Sequence, residues 1–426
     1  AAAADSGGGV VVVWQGGAED GALDGIFGQR YTSAPKPAPL GGEFRVNTTT
    51  AGAQRYPAVA TDASGNFVVV WQSPNFDSFP SLVLGQRYSS TGSPLGSEFR
   101  VNTYTSATGS IARPAVSCDA AGAFVVVWMT FGEGGDPSYS IAGQRYSSAG
   151  APLGTQFRVN TYTPFDQRYP AVAFAAGGGS FVVAWQYTAY SADEVYARRY
   201  AATGEELGAE FLANTYTTHN QSRPSVASDA AGNFTVVWHG YDQDAPGTDI
   251  FGQRFSSTGS LLGGEFRVNP NIGGDQVRPS VASDDVGNLT VVWQTSGAFP
   301  GIFGQRFLST GAPDGTEFKV DSYTVANNRY PRVAASGGGF VVAWRRLLVD
   351  QSSSDTDVYA KRYPGQGDIN GDGTTDVADV FYLINFLFAG GPAPVGFSDL
   401  NADGKTDVAD VFYLINYLFA GGPIPK

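Results

Sequence analysis

Phe67-Val68-Val69-Val70-Trp71 and its copy Phe124-Val125-Val126-Val127-Trp128 decide the fold. Each is a β-branched run closed by an indole and bounded by turn residues, which is strand chemistry. Every Trp of the chain ends such a phrase: Trp14, Trp71, Trp128, Trp185, Trp238, Trp293 and Trp344, spaced 51 to 57 residues apart. A period of that length marks a propeller, a solenoid or an array.

Three more phrases ride on the same period. One reads Gly28-Gln29-Arg30-Tyr31 and recurs after each Trp. Another, Glu43-Phe44-Arg45-Val46-Asn47, occurs six times, with later copies ending at Asn102, Asn160, Asn214, Asn269 and Asp321. The last begins at Arg55, Arg113, Arg168, Arg223, Arg278 and Arg329 and runs through a Pro into small residues. Short turns such as Asp62-Ala63-Ser64-Gly65-Asn66 separate the phrases. One repeat is therefore four antiparallel strands: A (Arg-Pro-Ala-Val-Ala), B (Phe-Val-Val-Val-Trp), C (Gly-Gln-Arg-Tyr) and D (Glu-Phe-Arg-Val-Asn). A lone four-stranded sheet cannot bury both faces, whereas radial stacking buries them all. The expected fold is mainly β, a seven-bladed β-propeller over 1–363, with an open β array as the other arrangement. Residues 1–14 supply only the end of an A strand before their B strand. The last repeat has no D phrase, which leaves blade seven with an outer edge that can dock a partner or be covered by the chain itself. The A-strand arginines could ring the channel mouth, but bonding between blades is the expected role for them and for the C-strand arginines.

Composition narrows the function. The chain has 426 residues, 42% hydrophobic and 15% charged, with 56 Gly and 24 Pro. Its formal net charge of -13 argues against nucleic acid as a partner. One Cys, Cys118, excludes an intramolecular disulfide, and two His, His219 and His239, leave little room for His-based chemistry. No apolar run is long enough to span a membrane. Asn47, Asn220, Asn233 and Asn288 head N-x-S/T sequons.

After a short linker, 364–367, residues 368–426 carry the clearest chemistry. Asp368, Asn370, Asp372, Asp376 and Asp379 place side-chain oxygens at positions 1, 3, 5, 9 and 12 of a loop. Thr374 supplies the carbonyl of position 7, and Gly373 makes the turn at position 6. A hard cation needs that ring of oxygens. The pattern recurs in Asp399, Asn401, Asp403, Lys405 (by its carbonyl), Asp407 and Asp410, so two Ca2+ ions are expected. All eight Asp of this region stand at ligand positions. Without metal they would repel one another and loosen the module.

Each loop runs into one helix, Val377–Ala389 or Val408–Ala420. Loop plus single helix, twice, with Asp at position 12, resembles a dockerin, a small α-helical calcium module. The resemblance covers 368–426 and implies a protein partner, either a cohesin-like receptor or another copy of the chain. The usual contact positions are apolar here. Phe381, Tyr382, Phe386, Phe388, Phe412, Tyr413, Tyr417 and Phe419 are the expected partner-binding residues. The repeats of 1–363 resemble those of large secreted bacterial proteins, which implies a secreted, extracellular or cell-surface location.

Two functions follow. The first is a secreted, non-catalytic assembly protein whose module docks the rigid propeller onto a partner, including the next protomer of a filament. The second is a carbohydrate-binding or polysaccharide-degrading propeller recruited to a cohesin-bearing complex. The B–C loops are acidic: Glu19, Asp20 and Asp24; Glu133 and Asp136; Asp193 and Glu194; Asp242, Asp244 and Asp249; Asp355 and Asp357. They show no distinctive acid pair and no aromatic platform, so no catalytic residue is expected.

Overall fold

The computed structural model describes the chain apart from residues 18–23, 34–37, 74–80, 105–110, 176, 191, 245, 272, 298–299, 323–326, 337–338, 348–355, 366, 371–374, 395–397, 399, 402–404 and 423–426. The strand phrases form seven antiparallel sheets, six of four strands and one of three. Blade three is typical: A is Ala112–Cys118, B is Phe124–Phe131, C is Tyr139–Tyr146 and D is Pro152–Arg158. Val126 of B sits between Val116 of A and Gln144 of C.

The sheets close into a ring. Seven apolar clusters hold seven sheets, one at each junction, whereas an open row of seven would have six. The closing cluster joins Val10 and Val12 of blade one to Val341 and Ala343 of blade seven. The chain is thus a seven-bladed propeller, closed by packing of the first and last blades. Each Trp faces the preceding blade; Trp71, for example, packs on Val11 and Val13.

The Gly of the C phrase and the Phe of the D phrase explain each other. Phe44 lies so close over Gly28 that a Cβ there would stand 2.8 Å from the ring. Phe99 over Gly85 and Phe157 over Gly143 repeat the arrangement at 2.7 and 2.6 Å. Val46 then donates its N–H to the Ile26 carbonyl at 2.8 Å, and Asn47 Oδ1 accepts from the Ile26 N–H at 2.8 Å. The Phe also reaches the next blade, where Tyr88 lies 5.4 Å from Phe44 and stacks on Phe67. Blade seven, with A at Asn327–Ser336, B at Gly339–Leu347 and C at Thr356–Tyr363, has no outer strand among the described residues. Its Val358 is accordingly 38% exposed, against 0% for Ile26, Val83, Ile141, Val195, Ile250 and Ile302 at the same place in the other blades.

The C-strand arginines do bond between blades. Arg30 donates to the Ser90 and Thr91 carbonyls, Arg87 to Ser148 and Ala149, Arg145 to Thr203, Arg199 to Ser257, and Arg254 to Ser309 and Thr310. Each reaches the C–D turn of the following blade. Arg362 completes the circle on the Ser33 carbonyl of blade one. Arg306 pairs with Asp314 of its own blade, 2.6 Å away.

The C-terminal region forms helices α1 (Val377–Ala389) and α2 (Val408–Ala420). Asp376 and Asp407 cap them, accepting from the Ala378 and Ala409 amides at 2.7 and 2.8 Å. Gly390 and Gly421 end them in the left-handed region, at φ 68° and 67°. The two helices share one core with Ile369, Val380, Leu383, Leu400, Val411 and Leu414 buried.

Candidate functional sites: the calcium loops and the axial face

The loop carboxylates at position 12 are built into the fold. Asp379 is fully buried and accepts from the amides of Asn370 (3.0 Å) and Asp376 (2.9 Å), drawing loop positions 3, 9 and 12 together. Asp410 is fully buried too and accepts from Leu400 (2.6 Å), Asn401 (3.2 Å) and Asp407 (2.8 Å). Asp368 is 3% exposed. Buried carboxylates at loop positions 1 and 12 suit a hard divalent cation, although no three acidic side chains stand together among the described residues. Asp372, Thr374, Asp399 and Asp403 lie outside the described residues.

The eight aromatic residues expected to bind a partner separate into two groups. Phe381, Phe388, Phe412 and Phe419 are 65 to 68% exposed. With Val377 and Val408 they form two like faces at i, i+4 and i+11, one per helix. Tyr382, Phe386, Tyr413 and Tyr417 pack part-buried around the module's own core.

On the propeller, the B–C loops and the A-strand starts share one face, because each A strand begins opposite the end of its B strand: Asp166 faces Thr188 and Arg168 faces Gln186. The acidic residues there are largely engaged. Asp24 pairs with Arg55 at 3.1 Å and Asp136 with Arg158. Asp193 accepts from Gln186 at 2.8 Å and from Ser222 at 3.3 Å, and Glu194 from Asn214. Asp249 accepts from Asn269 at 2.8 Å, Asp242 from the Gly247 amide at 2.7 Å, and Asp244 lies 3.9 Å from Arg267. Asp357 accepts from the Tyr359 hydroxyl at 3.5 Å. Burial pushes the carboxyls of Glu133, Asp193 and Glu194 above the ordinary carboxylate range. Glu19, Asp20 and Asp355 lie outside the described residues.

An aromatic platform, not expected from the loops, stands on this face beside blade four. Tyr162 and Phe165, on the D–A crossing, meet Tyr187 and Tyr190, at the end of the B strand. Tyr162 lies 5.5 Å and Phe165 6.1 Å from Tyr187, and Phe165 lies 4.9 Å from Tyr190. Tyr190 is 96% exposed. The four come from two loops separated in the sequence, so no single phrase announces them.

The arginines of the A phrase do not form one ring. Arg55 and Arg168 pair with Asp24 and Asp166. The residue before each Pro occupies a different place, an A-strand bulge with positive φ: Tyr56 (53°), Arg113 (54°), Tyr169 (51°), Arg223 (54°), Arg278 (58°) and Tyr330 (57°). A non-glycine residue held there costs about 1–3 kcal/mol. Arg113 lies over Tyr56 at 4.6 Å and over Tyr169 at 4.8 Å; Arg223 lies over Tyr169 at 4.4 Å and Arg278 over Tyr330 at 4.1 Å. The residue after the Trp of the preceding blade props this bulge. Gln186 Oε1 accepts from the Arg223 amide at 3.1 Å, and His239 Nδ1 from the Arg278 amide at 3.3 Å. Burial, then Arg223 and Arg278, depress the His239 imidazole to about 3.

Cys118 is partly buried, and burial pushes its thiol up, so it is a poor nucleophile. His219 accepts or donates at Nδ1 with the Tyr216 hydroxyl, 3.1 Å away. All four sequon asparagines are engaged internally: Asn47 through the Ile26 amide and Thr49 carbonyl, Asn220 through the Asp193 amide, Asn233 through Asp229, and Asn288 through Asp284.

These geometries define a propeller followed by a paired loop–helix module, and comparison with known proteins names the second part. Residues 366–419 match the model of the dockerin type I domain, so the chain carries that domain behind its propeller. Dockerin type I domains typically bind calcium, imply a cohesin partner, and occur in extracellular, cellulosome-type proteins. No helix among the described residues is long and apolar enough to cross a membrane. No curated protein matches the chain. Among solved structures, it is similar to an ulvan lyase bound to -[GlcA(1-4)Rha3S]-, at 12% identity and TM-score 0.53, covering 84% of this chain and 92% of that one. A second polysaccharide lyase is similar at 9% identity and TM-score 0.51, covering 83% and 87%. An α-L-arabinofuranosidase from Fusarium graminearum is similar at 12% identity and TM-score 0.48, covering 72% and 92%. At these identities the likeness is one of fold. It corrects the expectation of a non-enzyme: propellers of this shape include lyases, so a repeated, rigid ring is no ground for excluding catalysis.

Proposed function

We propose that this chain is a carbohydrate-active propeller, binding or degrading a polysaccharide, that its dockerin delivers to a cohesin-bearing extracellular complex. The observation that carries the reading is the platform of Tyr162, Phe165, Tyr187 and Tyr190 on the axial face. The rings meet edge to face, at 67 to 85°, so the open face of Tyr190 can stack on the C–H face of a sugar ring while the tyrosine hydroxyls hydrogen-bond its edge. The dockerin supplies the address. Two Ca2+ ions, held by Asp368, Asn370, Asp372, Thr374, Asp376 and Asp379 and by Asn401, Asp403, Lys405, Asp407, Asp410 and Asp399, order the loops. Phe381, Phe388, Phe412 and Phe419 make the contact surface, with Tyr382, Phe386, Tyr413 and Tyr417 supporting it from the core. Burying one such ring contributes about 1.5–3 kcal/mol, so four suffice for a specific interface.

The test has two arms. Affinity electrophoresis through gels containing neutral and acidic polysaccharides should retard the protein, and Tyr162→Ala with Tyr190→Ala should weaken retardation by a neutral one. An immobilised cohesin panel should capture the chain with calcium but not with EGTA, and Phe381→Ala with Phe412→Ala should abolish capture. Passage through every polysaccharide gel without retardation refutes the carbohydrate reading. Calcium-dependent growth in size without any cohesin would instead favour docking between copies.

A further inference from the structure

We infer that the axial mouth of the propeller is a binding site for an acidic saccharide, whose carboxylate or sulfate sits among Arg113, Arg223, Arg278 and Arg332 with Tyr56, Tyr169 and Tyr330 around it. The inference rests on the carbohydrate reading above and names its ligand class.

The charge balance comes first. In a chain of net charge -13, most arginines have found a carbonyl or a carboxylate. These four have only neutral partners among the described residues, the Pro331 carbonyl for Arg332, Gln294 for Arg278 and the Tyr169 hydroxyl for Arg223, whereas Arg55 and Arg168, one step along neighbouring A strands, are paired with carboxylates. Arg223 and Arg278 bear on Arg332, and Arg278 and Arg113 bear on Arg223. Arg332, on the A strand of blade seven, has its guanidinium pKa lowered by burial and then by Arg223 and Arg278. Burial lowers that of Arg223; Tyr169 opposes the shift, and Arg278 and Arg113 add to it. Uncompensated like charges gathered in a confined mouth make a local potential that an anion relieves.

The second observation is independent. Arg113, Arg223 and Arg278 each hold their side chains at the mouth through a left-handed backbone. Folding alone would favour Gly there. Backbone strain repeated in blade after blade, always presenting Tyr or Arg, marks positions kept for what the side chain does. Tyr56 and Tyr330 are 42% and 43% exposed, and a guanidinium stands over each ring, 4.6 and 4.1 Å from its centroid. A planar fork beside an aromatic face matches a sugar that bears a carboxylate or sulfate: the fork takes the anion in two bonds, and the ring takes the C–H face. A nucleic acid carries one charge per about 1.7 Å over a long track, and the rest of this acidic surface would repel it.

The left-handed backbone makes a clean test possible. Arg223→Gly and Arg278→Gly remove the guanidiniums while relieving strain, so the double variant should fold at least as stably as the parent by chemical denaturation. Titration calorimetry of the full chain in calcium, against polygalacturonate, a sulfated galactan and neutral arabinan, should show binding to one or both acidic polymers. The double variant should bind them at least tenfold more weakly, and raised salt should weaken the parent in the same direction. The two acidic polymers distinguish carboxylate from sulfate as the favoured group. Unchanged affinity in the double variant overturns the site. Binding to arabinan alone overturns it while sparing the carbohydrate reading, and binding to no polymer removes both. Tighter binding of a single-stranded oligonucleotide than of either acidic glycan also overturns it.

Discussion

At the scale of single residues, the repeat exposes its own irregularities. Trp71, Trp185, Trp238 and Trp293 donate their indole N–H to Gln54, Gln167, Gln221 and Gln276 at 2.8–2.9 Å. Ile111 stands where that Gln belongs in blade three, and Trp128 Nε1 is buried with no acceptor. Ile111→Gln should therefore raise stability by about 1 kcal/mol, net of the apolar surface lost; urea denaturation would show it, and a fall in midpoint would refute it. His239 gives a prediction in pH. Its folded pKa of about 3 lies below the unfolded value near 6.5, so between those values the unfolded chain binds the extra proton. The neutral-imidazole contribution is complete above pH 6.5 and is lost as pH falls toward 3, by up to about 1.4 kcal/mol per unit. His239→Gln keeps an acceptor for the Arg278 amide, as Gln186 does for Arg223. It should flatten stability between pH 6 and pH 4, and a parallel pH profile in both proteins would sink the assignment. The axial ring shows what one-dimensional reading loses. Arg55 and Arg113 head the same phrase, yet Arg113 immediately precedes its Pro and Arg55 does not. That offset of one residue sends Arg113 into the bulge and leaves Arg55 paired with Asp24. The bulge's φ, not the identity of the phrase, decides which side chain reaches the mouth.

At the scale of elements, legibility depended on whether the partner of a residue lies nearby in the chain. The Trp period and the Phe–Gly contact between D and C strands recur within one repeat, so the blades could be read directly. The dockerin region was equally plain, because its acidic twelve-residue pattern is local. The helices were legible as helices, but their orientation was not. Val377, Phe381 and Phe388 share an exposed face while Val380 and Leu383 fill the core, and Tyr382 and Phe386, expected at the same contact surface, pack on that core instead. In this module the cap ties helix to loop: Asp379 and Asp410 are both the third residue of a helix and the last position of a loop. Removing the cation should therefore loosen the helices and not only the loops. EGTA should reduce the far-ultraviolet helical signal of α1 and α2 while near-ultraviolet Trp signals persist, since all seven Trp belong to the propeller. Asp379→Ala with Asp410→Ala should produce the same loss in saturating calcium. Full helicity in the double variant would show that the cap and the metal ligands act separately.

At the scale of the molecule, the ring is closed but not uniform. The junction of blades four and five buries twelve apolar residues, and that of blades seven and one buries four. Blade seven also lacks an outer strand among its described residues, and Val358 is left open where its counterparts are sealed. Arg362, on the Ser33 carbonyl, clamps the last blade to the first. At about 25 cal/mol per Å2 of apolar surface buried, a junction with a third of the apolar residues has correspondingly less holding it. Local opening should begin there, as openings follow the thinnest packing. Hydrogen exchange followed by mass spectrometry should show the B and C strands of blades one and seven exchanging well before those of blades four and five. Arg362→Ala should accelerate blades one and seven together and leave blades four and five unchanged. Uniform protection around the ring would mean that the seven junctions share their stability, with the closing clamp no more than one contact among many. A weakest junction at the closure would also place the propeller's most yielding edge next to the linker that carries the dockerin, because residues 364–367 leave directly from the C strand of blade seven. Cohesin binding that altered exchange in blades one and seven, but not in four and five, would then report coupling between the docked module and the ring.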